Sequence, residues 1–119
     1  MTGLYVGIGF ALLFAISVWQ EQRQIELVRR LILLDLRLRE SRDLWPTGPE
    51  IVKRINQKLV DRFFYTAIRS LERAGLVIHR EGAGTLARGG RPTFHYQLTF
   101  EGKAAAWRVA HGLSIKVRA

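Results

Sequence analysis

The chain has 119 residues, enough for one compact domain and a small appendage. It carries 19 Lys and Arg against 10 Asp and Glu, a formal net charge of +9, and such a balance favours a polyanionic partner. Cysteine is absent, which excludes disulfides, thiolate catalysis and cysteine-bound zinc; His79, His95 and His111 are scattered with no carboxylate at a ligand-like spacing, so no metal site is expected.

The positive charge is unevenly placed. From Gln20 to Trp45 six Arg face five acids, a net of +1; from Pro46 to Ala119 thirteen Lys and Arg face five acids, a net of +8.

The first element is the run GLYVGIGFALLFAISVW, Gly3 to Trp19, with no charge and Ser17 as its polar break. Seventeen helical residues span about 26 Å, close to a hydrocarbon core of about 30 Å. Only Met1 and Thr2 precede it and Trp19-Gln20-Glu21 follows, so a cleaved signal is not expected. Two readings remain open. One is a single membrane pass over residues 1–22, with Arg23, Arg29 and Arg30 holding the body of the chain, residues 23–119, in the cytoplasm. The other is a core or oligomerisation helix. Gly3, Gly7, Ala11 and Ala15 recur every four residues, a stripe of small side chains that would let two such helices associate in lipid.

No Gly or Pro occurs between Phe10 and Trp45, so one nearly unbroken helix is expected from about Leu4 to Asp43. Its second half carries two stripes. Ile25, Val28, Leu31, Ile32 and Asp35/Leu36 form one; Leu27, Leu31, Leu34 and Leu38 form the other. That width fits either a helix buried centrally in its own domain or one that also meets a second copy.

Trp45-Pro46 ends this helix, and Thr47-Gly48-Pro49-Glu50 has the capping-box order of a helix start. A second helix follows through Ile51, Val52, Ile55 and Leu59. Asp61 is expected to cap a third, which Gly75 ends. On that third helix Phe64, Ala67, Ile68 and Leu71 make an inward face, while Arg62, Thr66, Arg69, Ser70 and Arg73 fall opposite. Arginine can bridge two acceptors on a phosphate or guanine, and short hydroxyl side chains allow close approach.

Leu76 to Arg80 reads as a strand and Thr93 to Phe100 as its antiparallel partner. Between them EGAGTLARGGRP is a glycine-rich loop with Arg88 and Arg91 near its tip. Thr99 starts a fourth helix, Glu101 to about His111. The expected fold is mainly α with a small β-hairpin: a winged helix-turn-helix preceded by a long, membrane-length N-terminal helix.

Gly48-Pro49-Glu50-Ile51, FYTAIRSLERAGLV and GRPTFHYQLTFEGKAAA together give the region from Leu31 to Ala106 a resemblance to the PadR-like winged-helix transcriptional regulators. The N-terminal membrane-length helix departs from that family's pattern. The resemblance implies binding of double-stranded DNA, as a homodimer, and repression of a promoter. DNA contacts are expected from Arg62, Thr66, Arg69, Ser70, Arg73, Arg88 and Arg91.

The leading expectation is thus a membrane-tethered, dimeric DNA-binding regulator. A second is a small accessory subunit of a membrane complex whose winged helix binds protein. Catalysis and a bound cofactor are not expected: there is no phosphate-binding glycine loop and no nucleophile–base pairing, and Glu50 and Glu101 serve as helix-start residues.

Overall fold

The computed structural model describes residues 2–40, 45–82 and 93–112, with side chains from Ala11 onward. The elements in chain order are α1 (Thr2–Leu38), α2 (Gly48–Ile55), α3 (Lys58–Arg73), β1 (Val77–Gly82), β2 (Thr93–Leu98) and α4 (Phe100–Ala110). This is the winged helix-turn-helix order, with α1 as its long first helix.

α1 is continuous through Trp19 to Ile25, as its lack of helix breakers requires, and stops at Leu38 rather than Asp43. Residues 41–44 lie outside the described part of the chain. The first stripe is the inner one: Val28, Ile32 and Leu36 are fully buried, Ile25 nearly so and Leu31 half-buried, and Leu33, outside both stripes, is fully buried with them. They pack with Ile51 of α2, with Val60, Phe63, Phe64, Ala67, Ile68 and Leu71 of α3, with Tyr96 and Leu98 of β2, and with Ala105 and Ala106 of α4. Of the second stripe, Leu27 and Leu38 remain exposed and Leu31 and Leu34 are half-buried.

Asp35 sits inside this packing. Arg54 of α2 reaches it with two bonds, Nη2 to Oδ2 at 2.7 Å and Nε to Oδ1 at 3.3 Å, and Arg39 approaches at 3.8 Å. The charge is tolerable there because the fork of Arg54 satisfies both carboxylate oxygens.

Local rules set most of the helix boundaries. Thr47 caps α2 by accepting from the Glu50 amide at 3.3 Å, with Pro49 in the first turn. Gly75 takes φ +76° after α3; its amide bonds Glu72 O at 3.0 Å and the next amide, Leu76, bonds Leu71 O at 2.9 Å. That pair of bonds is a Schellman ending, which requires a left-handed residue. Asp61 does not cap α3. Asn56 turns the chain in a left-handed conformation (φ 52°), so α3 restarts at once with Gln57 as its cap residue and no side-chain cap bond. Asp61 falls inside the first turn, where its charge faces the positive end of the helix.

The hairpin pairs Val77 with Leu98, His79 with Tyr96 and Gly82 with Thr93. A third segment joins its edge: Tyr96 N donates to Pro46 O at 2.9 Å, His95 Nδ1 donates to Trp45 O at 2.9 Å, and Thr47 bridges His95. β1 starts one residue later than expected because Leu76 is used in the α3 ending, and runs two further, to Gly82; β2 ends two residues earlier because Thr99 caps α4. Thr99 Oγ1 accepts from Gly102 N at 3.0 Å and donates to Gly75 O at 2.6 Å. Gly102 lies directly against the Leu76 carbonyl, so a side chain there would overlap backbone. The series Tyr96, Leu98, Thr99, Gly102 is thereby explained by packing at the hairpin exit.

The membrane expectation is corrected. Among the described residues no helix is long and apolar enough to cross a membrane. The expectation rested on the apolar run from Gly3 to Trp19, which gives way to Gln20, Glu21, Gln22 and Arg23. The single-pass placement, with its cytoplasmic C-terminal domain, falls with it. Association of Gly3, Gly7, Ala11 and Ala15 in lipid loses its setting as well; Ala11 and Ala15 are exposed, and the side-chain surroundings of positions 3 and 7 lie outside the described part.

Candidate nucleic-acid interface

α3 is amphipathic, and its orientation follows from burial. Phe63, Phe64, Ala67, Ile68 and Leu71 enter the core. The helix therefore presents Lys58, Arg62, Tyr65, Thr66, Arg69 and Arg73 outward, all of them exposed. α3 also runs in the same direction as the stretch of α1 it packs against. Arg29 Nη1 donates to Ser70 Oγ at 2.8 Å near one end. Near the other, Arg62 and Phe63 share a cleft with Ser17, Gln20, Glu21 and Gln24.

This geometry divides the five α3 residues marked by the sequence. Thr66, Arg69 and Arg73 line one shallow concavity together with Glu72. Ser70 is half-buried and accepts from α1. The Arg62 guanidinium lies over the Phe63 ring, 5.0 Å from its centroid, on the α1 side of the helix. Three of the five thus share one surface; the other two lean toward α1. Arg88 and Arg91 lie outside the described residues.

Two residues that the sequence reading left out join the outward arc. Tyr65 is 57% exposed, its ring edge-on to buried Phe64 at 5.2 Å. Lys58 opens the helix on the same side. The signal for Tyr65 was present: it stands one residue ahead of Thr66 and four ahead of Arg69, outside the buried spacing of Phe64, Ala67, Ile68 and Leu71.

The concavity is electrically mixed. Glu72 accepts from His79 Nδ1 of β1 at 2.9 Å, which ties the end of α3 to the hairpin. Behind it, burial raises the Tyr96 phenol above its usual pKa of 10.0; negative charge at Glu72 and at Tyr65 adds to the rise, and Arg69 opposes it. Arg69 is therefore close enough to sense β2 while its side chain is open to solvent. On the hairpin, Arg80 stacks over Trp45 at 4.5 Å and Phe94 packs edge-on to His79 at 4.9 Å.

An exposed helix face with Arg69, Arg73 and Thr66 in one hollow can grip a phosphate or the edge of a guanine. It sits on the second helix of the helix-turn-helix, α2–Asn56-Gln57–α3, which is rigidly backed by the core.

No family model matches the chain, and no curated protein sequence does. Among solved structures, a candidate DNA-binding protein from Ralstonia eutropha is similar, with a TM-score of 0.52 and 26% identity over 69% of this chain and 93% of that one. A variant of Lactococcus lactis ZitR in its apo form aligns at a TM-score of 0.49 and 15% identity, over 88% of this chain and 70% of that one, too distant to bear on the argument. Over most of its length, then, this chain shares the fold of the Ralstonia protein.

Proposed function

We propose that the chain is a DNA-binding regulator that reads duplex DNA with the outer face of α3. The observation that carries this reading is the gathering of Thr66, Arg69 and Arg73 in one exposed hollow on the second helix of a helix-turn-helix. Support comes from the net +8 of the segment from Pro46 onward and from the likeness to a candidate DNA-binding protein. The resemblance of the α3 and hairpin segments to PadR-like regulators belongs to the same reading.

In it, Arg69 and Thr66 meet base edges in the major groove and Tyr65 stands beside them against sugar or a thymine methyl. Arg62, Ser70 and Arg73 lie on the rims, nearer phosphate. Arg88 and Arg91, in a glycine-rich loop, supply charge to phosphate or the minor groove. The regulator works as a homodimer; the uncovered Leu12, Leu13, Phe14, Ile16, Val18 and Trp19 of α1 are surface that a second copy would shield.

The test is titration of one selected and one random duplex at several salt concentrations. Arg69→Ala should cost about 1–3 kcal/mol on the selected duplex and relax sequence preference. Arg88→Ala or Arg91→Ala should weaken both duplexes alike and make the salt slope shallower by about one unit each. If all three variants bind both duplexes like the parent, the surface does not bind DNA.

A further inference from the structure

The face of α1 turned away from the domain has a pattern that the DNA reading leaves unused. Leu27, Leu31, Leu34 and Leu38 are spaced four, three and four residues apart, which is the seam spacing of a two-helix contact. Leu27 is 46% and Leu38 84% exposed, and Leu31 and Leu34 between them are half-buried, so the seam is open at its ends and partly open in its middle. One flank carries Arg23, Arg30 and Arg37 at seven-residue intervals, all exposed. Arg23 lies over the Trp19 ring at 4.7 Å, and a shallow concavity beside it is lined by Trp19, Leu27 and Arg30.

Most of the acids on and just after α1 are paired within the protomer. Glu26 reaches Arg29 at 2.9 Å and Arg30 at 3.5 Å, Asp35 is held by Arg54, and Glu40 pairs with Lys103 of α4. The ridge therefore presents leucine beside a row of arginines, of which Arg30 shares the Glu26 carboxylate with Arg29.

A second copy is a poor match for this ridge. Pairing it with itself in antiparallel sense sets the arginine row against its own image. In parallel sense, Arg23 and Arg30 would face the positions of Val28 and Asp35, which the protomer buries in its own core. An occupant that supplies leucine-type knobs and carboxylates at seven-residue intervals satisfies both features.

We propose that this ridge docks an acidic amphipathic helix of a partner protein. α1 and α3 share one core through their inner faces, so the ridge and the Thr66–Arg69–Arg73 hollow point away from each other. Partner and DNA can then be held at once, on opposite sides of the domain.

The probe is a synthetic helical peptide with leucines in the four–three spacing and glutamates on both flanks, compared with its lysine-flanked counterpart. Binding to the full chain is read by anisotropy of the labelled peptide at low and high salt. The glutamate peptide should bind about tenfold or more tightly than the lysine peptide, and the gap should shrink with salt. Arg23→Glu, Arg30→Glu and Arg37→Glu together should invert the preference, and Leu34→Asp should weaken both peptides while the fold, monitored by melting, persists. Equal affinity for both peptides, or no inversion in the triple variant, overturns the proposal. So does sedimentation in which Leu34→Asp dissociates a self-associated parent, which would give the ridge to a second copy. Displacement of the glutamate peptide by anionic vesicles, with no loss to neutral ones, would assign it to lipid and likewise overturn it. Duplex binding by the parent is measured in parallel, so failure here is separable from failure of the DNA reading.

Discussion

α1 contains two halves whose fates run against their hydropathy. From Ala11 to Trp19 it is apolar except for Ser17, yet every side chain is exposed. From Ile25 to Leu36 it is interrupted by Glu26, Arg29, Arg30 and Asp35, yet this half supplies Val28, Ile32 and Leu33 at 0% exposure. The spacing of apolar positions, and the presence of α2, α3 and α4 to meet them, decides burial; total hydrophobicity does not. The corrected membrane expectation rested on the length and apolar total of the run from Gly3 to Trp19.

The comparison can be attacked by cutting methylenes from each half. Ile32→Ala should destabilise the protein by about 3 kcal/mol, since it leaves a cavity among residues that cannot all move in. Leu13→Ala, at a site 66% exposed, should change stability by less than about 0.5 kcal/mol in dilute protein. Urea unfolding of both variants reads this directly. Similar losses would mean that the first half also packs within one protomer.

The charged positions of the buried half sharpen the point. Arg54→Ala strands the Asp35 carboxylate among apolar neighbours and should cost about 2–3 kcal/mol. Adding Asp35→Asn should recover part of that loss, because the uncompensated charge is then gone. A double variant no better than Arg54→Ala alone would mean that the pair contributes by packing and not by charge.

The smallest effect tests the far wall of the same core. Tyr96 holds its proton more tightly folded than unfolded, so its contribution is intact below pH about 10 and is lost as pH rises above that. Tyr96→Phe should flatten the alkaline fall in melting temperature while changing little at neutral pH. An unchanged alkaline limb would assign the fall to other groups.

Much of this architecture was legible because local rules wrote it. Thr47, Thr99 and Gly75 each do at a helix end what their residue type allows, and Phe64, Ala67, Ile68 and Leu71 turn inward as their spacing demands. What escaped depended on tertiary neighbours. Gln57 became the cap residue in place of Asp61 because Asn56 absorbed the turn. Ser70 is drawn to Arg29, and Asp35 to Arg54, by helices that only folding brings together. For the candidate site, the basic face of α3 could be read from residue types, but its centre on Thr66, Arg69 and Arg73, and the place of Tyr65 beside them, needed the packing direction of α3 against α1.

The central claim is that the hollow on α3, and not the overall positive charge, engages DNA. The most direct measurement compares two variants that lose the same single charge, Arg69→Ala on α3 and Arg30→Ala on the far side of α1, in salt titrations of a selected duplex. The account predicts that Arg69→Ala weakens binding to the selected duplex by about tenfold or more at every salt concentration, while Arg30→Ala stays near the parent values. Equal effects from the two variants would contradict it, since diffuse charge alone would then explain the binding.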